Sequence, residues 1–74
     1  MKSFEEVKEM LERAIQDCIK VGKAHAKIGH EEGLNEYCGW YVVKALCEVL
    51  NMNSCYVWNR IVLECPNMGD YTEC

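Results

Sequence analysis

The sequence has few residues that interrupt helices and no segment that marks a membrane or secreted protein. Its 74 residues include one proline and five glycines, and this composition favours helices. No stretch approaches the roughly 20 apolar residues that a membrane-spanning helix needs, so we predict no membrane segment. Because the residues after Met1 are charged and contain no apolar signal core, we expect a cytoplasmic protein.

Clustered positive charge is also missing. The chain has eight Lys and Arg residues against twelve Asp and Glu residues, with a net charge of −4. Only Lys44 and Arg60 are basic in residues 37–74. Because proteins neutralise nucleic-acid phosphates with grouped Lys and Arg, this pattern argues against direct DNA or RNA binding and against a helix-turn-helix regulator. Binding to an anionic membrane surface is disfavoured for the same reason.

The residue spacing that supports catalysis or metal binding is absent. Structural zinc sites usually take two ligands from a close pair, such as Cys-x-x-Cys. The sequence has no such pair, and His25 and His30 are five residues apart, which separates them by about 140° around a helix. A zinc site built from these histidines and Cys38 is therefore disfavoured. We predict that the chain is not an enzyme and holds no metal or cofactor.

The six cysteines are the unusual part of the composition. An even number of cysteines in a short chain indicates a disulfide framework when the protein is secreted. Since no secretion signal is visible, we expect reduced thiols that pack as small buried side chains. A disulfide scaffold is the alternative.

A heptad pattern in the first third of the chain predicts one long helix from Phe4 to about Gly29. Ser3 and Glu6 have the spacing of a capping box at its start. Gly22 is the one position where the helix could bend or end early. Apolar or seam residues alternate at four and three positions, which predicts a buried stripe, and they are Val7, Leu11, Ala14, Cys18, Val21, His25 and Ile28.

The second predicted helix covers residues 34–50 and is apolar nearly all round. Its broadest apolar face, which we assign to the core, contains Leu34, Cys38, Val42, Ala45, Leu46 and Val49. We expect surplus apolar surface around Trp40 and Cys47, and such surface favours self-association or a partner. A third helix is predicted over residues 54–64, with a strand as the alternative, and Pro66 ends it.

These elements predict an all-α fold: a small three-helix bundle, built on a long antiparallel helical hairpin and oligomeric. Residues 1–66 form the single helical domain, and residues 67–74 a loosely ordered tail. Trp and Tyr often anchor interfaces, and the interface candidates are Tyr37, Trp40, Tyr41, Val43, Cys47 and Trp58. His25 is the candidate ligand or switch residue because it occupies a seam position.

The function that this pattern favours is a non-enzymatic interaction protein. It would form a homodimer or a higher oligomer and act by binding a larger protein, as an inhibitor or adaptor. Small, acidic, helical proteins that counter host defence in phages have this profile. The alternative is a helical oligomer that encloses a small ligand or nucleotide between Tyr, Trp and His side chains.

Overall fold

The structure is a computed structural model that describes residues 3–29, 33–34 and 37–69. These residues contain no strand and three α-helices, which are α1 (Phe4–Lys27), α2 (Cys38–Val49) and α3 (Ser54–Glu64), followed by a 3-10 turn (Pro66–Met68). The predicted all-α class is confirmed, and α3 has the predicted bounds. The largest packing interface among them lies between α1 and α2.

Local interactions define α1 as predicted. The Ser3 hydroxyl accepts a hydrogen bond from the Glu6 backbone N–H at 3.2 Å, which caps the first turn. Glu5 and Glu6 lie at the positive end of the helix dipole and Lys27 at the negative end. The helix continues through Gly22 to Lys27, so the glycine does not end it.

The stripe that α1 buries is rotated relative to the predicted heptad seam. Of the seven seam residues, only Leu11 and Cys18 are fully buried, and the side chain of Ile28 is 76% exposed. Four buried residues of the helix are spaced by four, three and four positions, with Ile19 beside them; the four are Leu11, Ile15, Cys18 and Gly22. The rotation arises because α1 packs against α3 and the 3-10 turn as well as against α2.

The segment after α3 is anchored to the middle of α1. The Cys65 thiol donates to the Ile19 carbonyl at 3.2 Å, and the Asn67 amide donates to the Gly22 carbonyl at 3.0 Å. Met68 is fully buried. Residues 67–69 are therefore packed, and the prediction that a loose tail begins at residue 67 is wrong there. Residues 70–74 of that predicted tail lie outside the described residues.

The helix α2 begins four residues later than predicted. Tyr37 has an extended backbone (φ −85°, ψ 123°) and caps the helix, so Leu34 lies before it. Leu34 is nevertheless fully buried, and its carbonyl accepts a hydrogen bond from the Tyr37 N–H at 3.1 Å. The prediction correctly identified an apolar residue in the core but placed it in the wrong element.

Two tryptophans form the centre of the contact between α2 and α3. The rings of Trp40 and Trp58 lie 5.4 Å apart in an edge-to-face arrangement, with an interplanar angle of 71°. Edge-to-face aromatic pairs contribute about 0.5–1.5 kcal/mol beyond the burial of their area. Both indoles are buried among aliphatic side chains of all three helices.

A polar contact that the sequence pattern did not predict joins α1 to α3. The Arg60 guanidinium binds both carboxylate oxygens of Glu12, at 3.0 and 2.7 Å. These bonds from Arg60, with a further bond from Gln16, lower the pKa of the Glu12 carboxyl. Both charged side chains are about half exposed, so we expect this pair to orient the helices and to add at most about 1 kcal/mol.

Candidate interaction surface

The structure places most of the predicted interface residues inside the folded chain. Tyr41 is more than half exposed and Tyr37 is half-buried. The other four candidates are core residues of the monomer, which corrects their assignment to a partner surface, and they are Trp40, Val43, Cys47 and Trp58.

The side of α2 that faces the core is the reverse of the predicted one. Trp40, Val43, Cys47 and Leu50 are buried, whereas most of the predicted core face is exposed. The physical reason is size: burying an indole and a leucine removes more apolar area from water than burying Cys38 and Ala45. The helix therefore turns its largest side chains inward.

This orientation leaves an apolar stripe on the outside of α2. We call the stripe the outer face of α2, and its residues are Cys38, Val42, Ala45 and Val49. The side chains of Val42 and Val49 are 54% and 70% exposed. The four residues are spaced by four, three and four positions, which is the spacing of a helix-pairing seam. This spacing is visible in the sequence, but it is explained equally well there by a helix face that packs into the core.

One edge of the outer face carries polar and aromatic groups. With about 100° between successive residues, Tyr41 and Glu48 flank the stripe on one side, and Lys44 lies farther round the helix, towards the buried face. The Lys44 ammonium lies 5.3 Å from the centre of the Tyr41 ring, within the range of a cation–π contact. The outer face therefore combines an apolar centre with a charged edge, as protein interfaces commonly do.

A second apolar surface lies on α3. Tyr56 and Leu63 are 70% and 82% exposed, and they are seven residues apart on one helical face. Leu63 also borders an open groove of about 520 Å³, lined by Asn59, Val62, Leu63 and Pro66. Sequence reasoning assigned no role to this surface, because a short apolar helix does not reveal which residues a neighbouring turn leaves exposed.

Three of the four free thiols of the described residues are protected by burial. Cys18, Cys47 and Cys65 are buried, and burial raises the pKa of each, to about 11 for Cys18. Because the thiolate is the nucleophile and the metal ligand, these buried thiols are poorly suited to either role at neutral pH.

The cysteines also correct one expectation from the sequence. Cys18, Cys38, Cys47 and Cys65 are free thiols, as expected for reduced cysteines. Cys55 is disulfide-bonded, so the expectation of reduced thiols throughout is wrong at this position.

We expect alkylation at pH 8 to separate the buried thiols from the exposed one. Iodoacetamide should modify Cys38 rapidly, because its side chain is exposed. Cys18 should react at least a hundredfold more slowly in the native chain, since its pKa is raised to about 11 by burial. Peptide mapping by mass spectrometry measures both rates, and the same reaction in denaturant is the control. Equal native rates would contradict the packing described here.

The described residues were also compared with the patterns of metal sites and of membrane-spanning helices. No group of three or more His, Cys, Asp or Glu side chains there could hold a metal ion. His25 is half-buried in the last turn of α1, and His30 of the considered zinc site lies outside the described residues. Among the helices at 4–27, 38–49 and 54–64, none has both the length and the apolar character needed to cross a bilayer.

The surfaces of α2 and α3 are therefore the candidate functional features of the described chain. They offer shape, apolar area and, at Cys38, one exposed thiol. Comparison with known proteins adds no assignment: no protein-family model matches the chain, and no curated protein or solved structure is significantly similar to it.

Proposed function

We propose that this chain is a small non-enzymatic interaction protein of the cytoplasm, which self-associates and acts by binding a larger protein as an inhibitor or adaptor. The exposed outer face of α2 is the observation that supports this proposal. A helix that buries one apolar side and exposes another gains stability when a second surface covers the exposed side.

The size of the outer face favours a reversible dimer. The 12 residues of α2 span about 18 Å along the helix axis. This length provides less than the roughly 800 Å² per partner of a standard specific interface. We therefore expect dissociation in the micromolar range, so that the chain exchanges between copies and partners.

The larger protein would bind the α3 surface. Tyr56 and Leu63 are exposed on one face of α3, and Leu63 lines the groove. Aromatic residues are enriched among those that contribute most to interfaces. The groove wall is apolar, with Asn59 providing an amide. These features suit an apolar side chain of a protein partner, with one hydrogen bond to set its position.

The alternative of a ligand-binding oligomer has less support. It requires Trp, Tyr and His side chains that line a shared pocket. Trp40 and Trp58 instead pack on each other in the core. None of the described residues that line the α3 groove is charged, which gives no support to binding of a nucleotide phosphate there.

The proposal is tested by changing the outer face without changing the core. The substitution Val42→Glu places a charge in the centre of the stripe, and Leu63→Glu is the matched control on α3. We expect light scattering at about 50 μM to show a dimer for the wild type and for Leu63→Glu. For Val42→Glu, the dissociation constant should rise at least tenfold, because association would bury a carboxylate.

Two results of these measurements would contradict the proposal. If the wild-type chain is monomeric at that concentration, the proposed self-association is wrong. Equal effects of Val42→Glu and Leu63→Glu would remove the outer face as its site. Circular dichroism verifies that both variants retain helicity, as expected for exposed substitutions.

A further inference from the structure

We infer that the disulfide of Cys55 is formed with Cys74, and that it holds residues 70–74 along one side of α3 as a redox-sensitive latch beside the α3 groove. This latch lies within one chain, so it goes beyond the proposed function and is independent of self-association. The occupant of this side of the groove is thus a segment of the same chain.

The free thiols identify the partner of Cys55 by elimination. The sequence contains six cysteines. Cys55 is disulfide-bonded, and four others are free thiols, namely Cys18, Cys38, Cys47 and Cys65. Because a disulfide joins two cysteines, Cys74 is the one that remains for Cys55 within the chain.

The last described residue lies on the side of α3 that carries Cys55. A Cβ atom on Gly69 would lie 3.0 Å from a methyl group of Val62, so the Gly69 backbone passes directly beside that residue. Cys55 and Val62 are seven positions apart on α3, which places them on one side of the helix. They are separated by about 10 Å along the helix axis.

The segment that follows Gly69 has the length to connect these two points. Five residues lead from Gly69 to Cys74, and five extended residues span up to about 17 Å. An axial distance of about 10 Å leaves such a segment little slack. With one end beside Val62 and the other bonded to Cys55, residues 70–74 have to run along this side of α3.

This path passes the α3 groove. Asn59 lies between Cys55 and Val62 on the same side of the helix, and both Asn59 and Val62 line the groove. Leu63 lies farther round the helix and is 82% exposed. Residues 70–74 would therefore form a wall of the groove beside Asn59, while Leu63 stays on its open border.

Thiol–disulfide exchange opens the latch. Cys55 is half-buried in the first turn of α3, so a reductant reaches it more easily than the buried thiols. A dithiol reductant breaks the S–S bond, transfers two electrons and two protons to give the thiols of Cys55 and Cys74, and becomes a disulfide itself. Disulfides in the cytoplasm are usually transient because such reductants are abundant there. If the larger protein binds the α3 surface, a consequence that rests on the proposed function, its access to the groove follows the state of this bond.

Peptide mapping tests the pairing. The chain is oxidised with glutathione disulfide, which accepts the two electrons and is released as two glutathione thiols. Free thiols are then alkylated, and chymotrypsin is used because cleavage after Leu50, Tyr56 and Tyr71 separates Cys55 and Cys74 from the other cysteines. We expect the main linked product to join Cys55 to Cys74.

Methyl nuclear magnetic resonance tests the position of the segment. Reduction with dithiothreitol should shift the methyl resonances of Val62, because the neighbouring segment is released. The resonances of Val42 on the outer face of α2 are the control and should not change. Cys74→Ser should give the spectrum of the reduced chain under both conditions, whereas Cys38→Ser, which removes an exposed free thiol, should respond as the wild type does.

The two measurements can each overturn the latch. A link from Cys55 to another cysteine, or alkylation of all six cysteines, would show that the pairing is wrong. If the link forms but the Val62 resonances do not change, or change no more than those of Val42, the segment does not lie beside the groove. Neither result affects the proposed self-association, which light scattering of Val42→Glu tests separately.

Discussion

Replacing Trp40 by alanine is expected to unfold the chain rather than to weaken association selectively. Trp40 is 1% exposed, and its ring packs edge to face on Trp58. Removal of a buried tryptophan side chain costs about 3–5 kcal/mol. A chain of this length has about 4–11 kcal/mol of stability in total, so a single substitution would consume a large share of it.

The substitution Trp40→Phe is the matched control. The indole Nε1 of Trp40 is buried and has no hydrogen-bond acceptor among the described residues, and a buried unsatisfied donor costs about 1–3 kcal/mol. Phenylalanine removes that donor while it keeps an aromatic ring against Trp58. We therefore expect a much smaller loss of stability than with alanine.

Urea unfolding followed by far-ultraviolet circular dichroism compares the three chains, and light scattering is recorded on the same samples. If Trp40→Ala retains wild-type helicity and unfolding midpoint but loses the dimer, Trp40 is an interface residue and its place in the core is wrong. If Trp40→Phe is as unstable as Trp40→Ala, an aromatic ring against Trp58 does not preserve stability, and the expectation of a smaller loss with phenylalanine is wrong.

The second large effect is expected at Gly22, where α1 meets the segment after α3. A Cβ atom on Gly22 would lie 2.5 Å from the Met68 sulfur and 2.7 and 2.9 Å from the Sγ and Cβ atoms of Cys65. The Met68 thioether can move, but Cys65 Cβ is attached to the backbone. Overpacking of this kind costs about 1–3 kcal/mol, against a gain of about 1 kcal/mol in helix propensity for alanine.

Gly22→Ala should therefore destabilise the chain, and Gly22→Val should do so more strongly. The close approach at Gly22 also allows Cys65 and Asn67 to donate hydrogen bonds to carbonyls of α1. We expect these bonds to lengthen as the segment is pushed outward, with loss of amide exchange protection at Met68, whose N–H donates to Cys65.

Gly39→Ala is the control because it makes the same change inside another helix. The atoms that a Cβ on Gly39 would meet belong to the far end of the Tyr37 ring, which can rotate away. Its effect should be neutral or stabilising by up to about 1 kcal/mol. Thermal unfolding of the wild type and of the three variants measures whether each substitution raises or lowers the midpoint. A stable Gly22→Ala variant would show that the segment after α3 is not held against α1 as described.

The helix bounds could be predicted from the sequence alone, whereas the packing at Gly22 could not. The bounds of α1 and α3 follow from neighbouring residues. Ser3 caps the start of α1, the Asn53 side chain caps the start of α3, and Pro66 follows the end of α3. Such signals act within one turn of the chain and need no tertiary information. The function of Gly22 could not be obtained this way, because a helix-breaking glycine and a close-packing glycine look alike in a sequence.

The sequence by itself determined that this protein is helical, where two of its helices begin and end, and that α2 has more apolar residues than one core can cover. Only the tertiary structure decided which side of α2 is buried. The periodicity of α2 allows either face to turn inward, and the choice depends on the volumes that α1 and α3 leave to be filled. Trp40 and Trp58 fill that space, so Val42, Ala45 and Val49 are left outside.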